Sequence, residues 1–483
     1  MINLYMLPLV MSYVDNICNE YINSNLNKNK AVNTISNKQR IWLIFCLSMM
    51  LLTNSINWAR FERFSLASYK EKALSAMFHH GGIPLEYLFD AGIRNLIKLY
   101  GILSGHIIVD DTDRPRSKII KVIAFVFKNF NKKTGGYFNC QNLVFLVLVT
   151  NKITIPVGFK FYKPCPKIKE WEKKDKEIRA LIKQGYVDKD GNKLKRPEKP
   201  ERSPDHPTRN QISVQLIKEF KEKFPEIEII SCSFDAAYSS GENLQAVENI
   251  LPKTAVISEF ACTIIVSDPR RSAPIADYFK SIPTQKITIQ IRGGEKQNVE
   301  IKHARVYVPA HGRKYNVVAL RYEGEKYFRY IITSNLCWRA KDVVQVFTYR
   351  WLVEVFFYDW KCYEGWGQAA IQQKNAGALL GVHMSLLVDQ CLLSHPEQIR
   401  RIQSGLPACT VGSLREKIVI EQHLHHIKSL LYSDNPVEKL KAYANNIERC
   451  FVYRDSKKHM SGRNFPDFGP DPNLMKKYFP FIA

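Results

Sequence analysis

The spacing of apolar residues changes twice along the chain, and that change limits it to folds that combine helices with a sheet. A helical period runs to about residue 100, strand-like runs begin after Gly105 and give way to a two-residue period from about 257 to 333, and the helical period returns after Asn335 to about residue 431. The first stretch holds two strongly apolar segments, 41–52 (IWLIFCLSMMLL) and 85–103, punctuated by Gly81, Gly82 and Pro84. Strand-forming runs rich in β-branched or aromatic residues are predicted at 106–111 (HIIVDD), 122–127, 143–149 and 153–161. Residues 212–224 follow as an amphipathic helix leading into a second apolar run that ends in acid, 227–235. Between 257 and 333 the segments KITIQI, VEIKHARVYV, YNVVALRY and YFRYIIT predict several antiparallel strands.

The 483 residues carry 70 Lys and Arg against 46 Asp and Glu, a formal charge of +24. A positive field of that size suits a polyanion, and nucleic acid gains most from it through counterion release. A basic protein that binds no nucleic acid is the bland alternative. The bias is concentrated in 160–209, with sixteen Lys or Arg against nine Asp or Glu; this segment is either a solvated surface or a contact for the DNA backbone, its first part a helix and the rest a loop. The eleven cysteines are scattered with no C-x-x-C pair, which points to reduced thiols rather than disulfides or a zinc site. Segment 41–52 is too short to span a bilayer and predicts a buried helix. No export signal is evident at the N-terminus, so the cytoplasm is the expected compartment.

Three acids stand where a metal site could use them. Asp110 ends one strand-like run, Asp235 ends another, and Glu354 lies in the amphipathic stretch 343–361. Mg²⁺ prefers oxygen ligands, and strand ends hold carboxylates rigidly. Asp110 and Asp111 are neighbours whose side chains face opposite ways on a strand, so one of them reaches the site; Asp110 is favoured and Asp111 is the alternative. Around Glu354, in TYRWLVEVFFYDWK, Arg350 and Lys361 share one broad helical face with the acid, while Trp351, Val355 and Tyr358 are expected against the core. A surface salt-bridge ladder is the competing reading of that face.

This pattern, Arg350–Glu354–Lys361, resembles the YREK signature of bacterial insertion-sequence DDE transposases of the insertion-sequence-four group. IIVDDT resembles the family's first strand motif, with Thr112 completing its D-x-T pattern. SFDAAYSS resembles the second motif, the β-rich stretch sits between the second Asp and the Glu, and TSNL at 333–336 precedes the last helix. The resemblance covers roughly 105–395. It implies a ribonuclease-H-like mixed sheet with flanking helices, interrupted by a β-rich insertion, and a catalytic triad of Asp110, Asp235 and Glu354. These would ligate Mg²⁺ or Mn²⁺, two ions in all, with Arg350 and Lys361 on DNA phosphates. The signature's Tyr falls on Phe347, Tyr349 being displaced by two, so the phosphate contact which that Tyr makes in the family is not carried over. The implied partners are double-stranded DNA, both element ends and target, and a second copy of the chain on that DNA. The implied setting is the bacterial nucleoid, with no membrane.

The expected organisation is an N-terminal helical, possibly DNA-binding, domain (1–104), the first catalytic part (105–256) with its charged segment 160–210, the β-rich insertion (257–333), the last catalytic part (334–400), and a C-terminal helical region and tail (401–483). Trp338, Trp351, Trp360 and Trp366 are expected in the core, and His423, His425 and His426 on an exposed helix face. Tyr307, Tyr315 and Tyr322 are candidates to stack on a base flipped from a cut end. Two other functions stay open: a structure-selective nuclease of the same fold, and a DNA-binding derivative without catalysis.

Overall fold

The computed structural model describes residues 6–23, 35–65, 69–116, 123–131, 134–187, 192, 194–291, 294–366 and 374–450. The tail at 466–480, expected as a surface loop, lies outside them. Residues 1–432 form one compact unit, and the boundaries expected at 104, 256, 333 and 400 all fall inside it.

Five helices open the chain: α1 (Pro8–Asn23), α2 (Asn37–Thr53), α3 (Trp58–Phe64), α4 (Glu71–His80) and α5 (Leu85–Tyr100). Residues 42–51 of the expected helix 41–52 are buried, because nearly every face of α2 is apolar, while Ile41 at its start is exposed. Ser36 and Gln39 begin this helix with a reciprocal capping box. These helices pack on α12 (Lys374–Leu393), where Gln390 accepts from the Tyr13 hydroxyl at 2.7 Å and donates to the Phe89 carbonyl at 3.0 Å. Gly92 permits that approach, since a Cβ there would lie 1.9 Å from the Gln390 amide oxygen. Among the described residues α12 is the one single helix long and apolar enough to cross a membrane, and it is mostly buried within the protein.

The sheet begins with β1 (Ser104–Arg116), β2 (Phe127–Asn131), β3 (Gly136–Val149) and β4 (Thr154–Tyr162). β3 runs antiparallel to β1 along one edge and to β2 and β4 along the other. The strand expected over 122–127 does not form across 123–126, since Phe125 takes a left-handed turn (φ 60°) and stacks on Phe161 at 4.5 Å. The charged segment gives α6 (Pro166–Lys183) and then irregular chain. Helix α7 (Arg209–Lys223) crosses to β5 (Glu228–Phe234), parallel to β1, and α8 (Gly241–Ile250) crosses to β6 (Ala255–Phe260), parallel to β5.

The β-rich stretch extends the same sheet. After β7 (Ile265–Ser267), β8 (Ser272–Pro274), the short α9 (Ile275–Tyr278), β9 (Gln285–Gln290), β10 (Lys296–Val308) and β11 (Arg313–Tyr322), the chain returns in β12 (Arg329–Thr333) to pair antiparallel with β6. The strand order is β2-β3-β1-β5-β6-β12-β11-β10-β7-β8, with β4 on β3 and β9 on β10. Helices α10 (Ala340–Thr348), α11 (Trp351–Tyr363), α12, α13 (Pro396–Gln403) and α14 (Val411–Leu431) complete the unit. The fold is therefore mixed α/β. The described part of the second unit, 433–483, is α15 (Pro436–Cys450).

Two expectations of burial fail. Trp351, Val355 and Tyr358 are exposed (50%, 36% and 59%), because the core side of α11 is taken by Val353, Phe356, Phe357 and Trp360. Of the tryptophans, Trp360 and Trp366 are fully buried, stacked at 5.0 Å, whereas Trp338 is only half-buried. In the histidine cluster, His423 and His425 are exposed but His426 is buried, one turn after Gln422 on the inward side of α14.

Candidate functional site

The aromatic face of α11 determines where its charged residues go. Phe145 on β3 pairs in register with Asp110 on β1, and its ring meets Phe356, Phe357 and Trp360 at 5.4, 5.6 and 5.0 Å. Burial of these large rings is the dominant attraction between helix and sheet. It lays the Arg350–Glu354–Lys361 face along β1. The Arg350 guanidinium lies 3.2 Å from the Asp110 carboxylate, and the Lys361 ammonium donates to the Thr112 hydroxyl at 2.5 Å and to the Asp113 carbonyl at 3.1 Å. Asp110 and Thr112 are two apart on a strand, so they share a face. Helix α11 thus grips β1 at both ends.

Asp110 is buried. Desolvation pushes its carboxyl up to about 7; Arg350 and the Asp111 N–H pull the other way, and the charges of Glu354 and Asp111 add to the rise. Burial lowers the Lys361 ammonium, with Asp113 and Glu354 opposing the change. Glu354 is itself exposed, and its charge reaches both Asp110 and Lys361.

Asp235 follows directly from the sheet register. Val109 pairs with Phe234, and Phe234 with Ser258. Asp110 and Glu259 lie one residue beyond these pairs on β1 and β6, and Asp235 is the first residue after β5. Asp235 keeps an extended backbone (φ −73°, ψ 164°) as it caps a 3₁₀ turn through the Ala236 N–H at 2.6 Å. Desolvation raises the Glu259 carboxyl, with Arg329 and Arg350 opposing and Asp235 and Glu325 adding to the shift. Glu259 was not anticipated from sequence. Its run, AVISEF, carries no motif, and only the register places it here.

Asp111 faces the other way. It accepts from the Asn142 amide at 2.6 Å and the Tyr238 hydroxyl at 3.1 Å, and Arg209, at the start of α7, lies 3.4 Å away. Asn142 also donates to Asp113 at 2.9 Å. These partners come from 31 to 127 residues away in sequence, and no local pattern announces them. Phe347 and Tyr349 lie at the end of α10. Tyr349 packs on the His106 ring at 5.0 Å, and the Arg350 guanidinium stands 5.8 Å from the centre of Phe347.

The candidate base-stacking tyrosines separate. Tyr315 is buried, its hydroxyl hydrogen-bonded to His311 at 3.1 Å, so it is no rim residue. Tyr307 is exposed (38%) on β10. Tyr322 lines a cavity of about 320 Å³ with Glu325, Arg329, Phe347, Arg350 and Trp351.

Among the described residues, no group of three or more His, Cys, Asp and Glu side chains is arranged to hold a metal ion. Carboxylate oxygens are the type of donor that Mg²⁺ takes, one or two of them with water and phosphate completing its shell. The buried Asp110, crowded by other acids and matched by one guanidinium, is a carboxylate that a nearby cation would keep ionised. No family model matches the chain, and no curated protein matches it.

Proposed function

We propose that the chain is a DDE transposase, cutting DNA at element ends and joining the freed 3′-hydroxyl strands to target DNA. The observation that carries this reading is the double grip of α11 on β1, Arg350 on Asp110 and Lys361 on Thr112, with a second acid, Asp235, directly after the neighbouring strand β5. A surface salt-bridge ladder would not set these two cations against a buried strand. The sheet adds support: three antiparallel strands (β4, β3, β1) adjoin two parallel ones (β5, β6) reached through helices, as a ribonuclease-H-like core requires.

Asp110, Asp235 and Glu354 would hold one or two Mg²⁺ or Mn²⁺ ions. Such ions activate the attacking oxygen and stabilise the leaving one. Arg350 keeps Asp110 oriented and can turn a guanidinium edge to phosphate, and Lys361 stands ready for a neighbouring phosphate. The +24 charge supplies the general attraction for DNA. By the same reading the protein works at the nucleoid of a bacterial cell and pairs two DNA ends as a dimer.

The test is cleavage and joining of DNA carrying the element's ends, with Mg²⁺ and a target plasmid. Asp235→Asn and Glu354→Gln should each abolish cleavage while end binding persists in a gel-shift assay. Retained cleavage by either variant removes that residue from the site. Cutting without joined products would make the protein a nuclease of this fold instead.

A further inference from the structure

We infer that Arg114 and Arg116 form a phosphate-binding subsite on the path of DNA, beyond Lys361 along the same face of β1; this rests on the reading that the chain acts on DNA. Side chains two apart on a strand share a face. On β1 that face is marked by its contacts. Asp110 meets Arg350, Thr112 meets Lys361, and Arg114 and Arg116 both lie over the Trp366 indole, their guanidinium carbons 5.1 and 5.7 Å from the ring centre. The opposite face carries Asp111 and Asp113, both held by Asn142. Successive residues of one face stand about 6.8 Å apart, a step close to that between neighbouring phosphates of a DNA strand. Lys361, Arg114 and Arg116 thus run outward from Asp110 as a line of cations.

The surroundings of the two arginines call for an anion. Arg116 donates its Nε–H to the Gln141 amide oxygen at 2.9 Å, with Nη2 on the same oxygen, and Gln141 is oriented by its own bond to the Ala124 carbonyl at 2.6 Å. A neutral oxygen fixes the plane of the guanidinium and leaves its charge in place. Burial lowers Arg116 to about 10, and it lowers Arg114 to about 9 with the like charge of Arg116 adding to the fall. The acids nearest along the chain are engaged elsewhere. Asp113 accepts from Asn129 at 3.1 Å and Asn142 at 2.9 Å, and Glu364 is buried against Asp389. Trp366 brings a further donor: it is 2% exposed, and its indole N–H has no acceptor among the described residues. Arg116 and Trp366 therefore present donors in want of an acceptor, with a second guanidinium beside them, and buried polar groups need such partners. A phosphate oxygen pair is the acceptor that a guanidinium fork matches best. The platform is rigid, since Trp366 stacks on Trp360 at 5.0 Å and Trp360 packs on Phe145. Both arginines are half-buried rather than closed off.

The experiment measures binding of the full chain to a fluorescent duplex of random sequence by anisotropy, over a series of salt concentrations and without divalent cation. Circular dichroism confirms folding. Arg116→Gln and Arg114→Gln should each weaken binding about fivefold and reduce the slope of log affinity against log salt by about 0.9, the mark of one lost phosphate contact. Arg116→Lys keeps the charge and should restore the slope while recovering only part of the affinity. Arg400→Gln, which removes an exposed cation paired with Glu397 on α13, should leave the slope unchanged. A folded Arg116→Gln that melts earlier but keeps the parent's slope would make the pair structural and overturn the subsite, leaving the DNA reading standing. A parent that binds no duplex would overturn the DNA reading and the subsite with it. Should Arg116→Gln not fold, Arg114→Gln decides by the same slope.

Discussion

Asp110 and Asp111 are chain neighbours on one strand, and their surroundings differ in kind. Asp111 is the more exposed of the two side chains (20% against 9%), yet an amide, a hydroxyl and a guanidinium gather round it. Asp110 is deeper and meets a single guanidinium at 3.2 Å, with the charges of Glu354 and Asp111 pressing on it. A buried carboxylate is costly unless its charge is compensated. Asp111 has its compensation within the fold. Asp110 is left short, and a deficit of that kind is one that a cation beside the carboxylate would make good. The difference shows why two identical residues in a DD pair are not interchangeable: the pleat sends one toward α7 and the other toward α11.

The largest effect expected from this contrast is on cleavage. Asp110→Asn should reduce Mg²⁺-dependent strand cleavage by about 1000-fold or more, as loss of a group stabilising the reacting charges does, and the protein should stay folded. Asp111→Ala should act on stability, costing about 1–3 kcal/mol because Asn142, Tyr238 and Arg209 lose their acceptor. Chemical denaturation together with a cleavage assay separates the two. The comparison breaks if Asp111→Ala is as inactive as Asp110→Asn while its folding stability is unchanged.

The second effect is a pH dependence belonging to Asp110 alone. Its carboxyl titrates at about 7 in the folded chain against 3.8 ordinarily, so the folded state holds the proton more tightly. Stability from this group is full below about pH 4 and is lost as the pH climbs toward 7. Asp110→Asn cannot lose that proton, so its melting temperature should gain on the parent's between pH 5 and pH 8. Added Mn²⁺ should likewise raise the parent's melting temperature more at pH 8 than at pH 6, because the ion must find the carboxylate ionised. A melting difference that stays flat from pH 5 to pH 8 would show that Asp110 titrates as an ordinary acid.

What could be read from sequence, and what could not, follows from the range of the physics involved. The strand bearing Asp110 and the strand leading to Asp235 were legible because apolar runs ending in acid are local signals. The face holding Arg350, Glu354 and Lys361 was legible because helical spacing is a local rule. The inward side of α11 was misread at Trp351, Val355 and Tyr358, since several faces of that helix are apolar and only contact with Phe145 selects Phe356, Phe357 and Trp360. The turn at Phe125 was missed because its stacking on Phe161 joins residues 36 apart. Glu259 was invisible for the same reason in stronger form: the alignment of its strand with β5 and β1 is set by two parallel pairings, and parallel register leaves no trace in a single strand's sequence.

The smallest effect tests whether the Asp110 side has an entrance. Trp351 is half-exposed on the outward edge of α11, beside the exposed Glu354 and in the wall of the cavity that Arg350 also lines. A phosphate or hydrated cation approaching Asp110 needs such an edge to be wet. Trp351→Ser should therefore change folding stability by no more than about 0.5 kcal/mol, against about 3–5 kcal/mol for Trp360→Ala, which empties a packed site between Phe145 and Trp366. Denaturant melts of the two variants measure this directly. Equal losses would mean that the outward edge is buried as firmly as the inward one, and Asp110, closed on every side, would then be a structural acid like its neighbour.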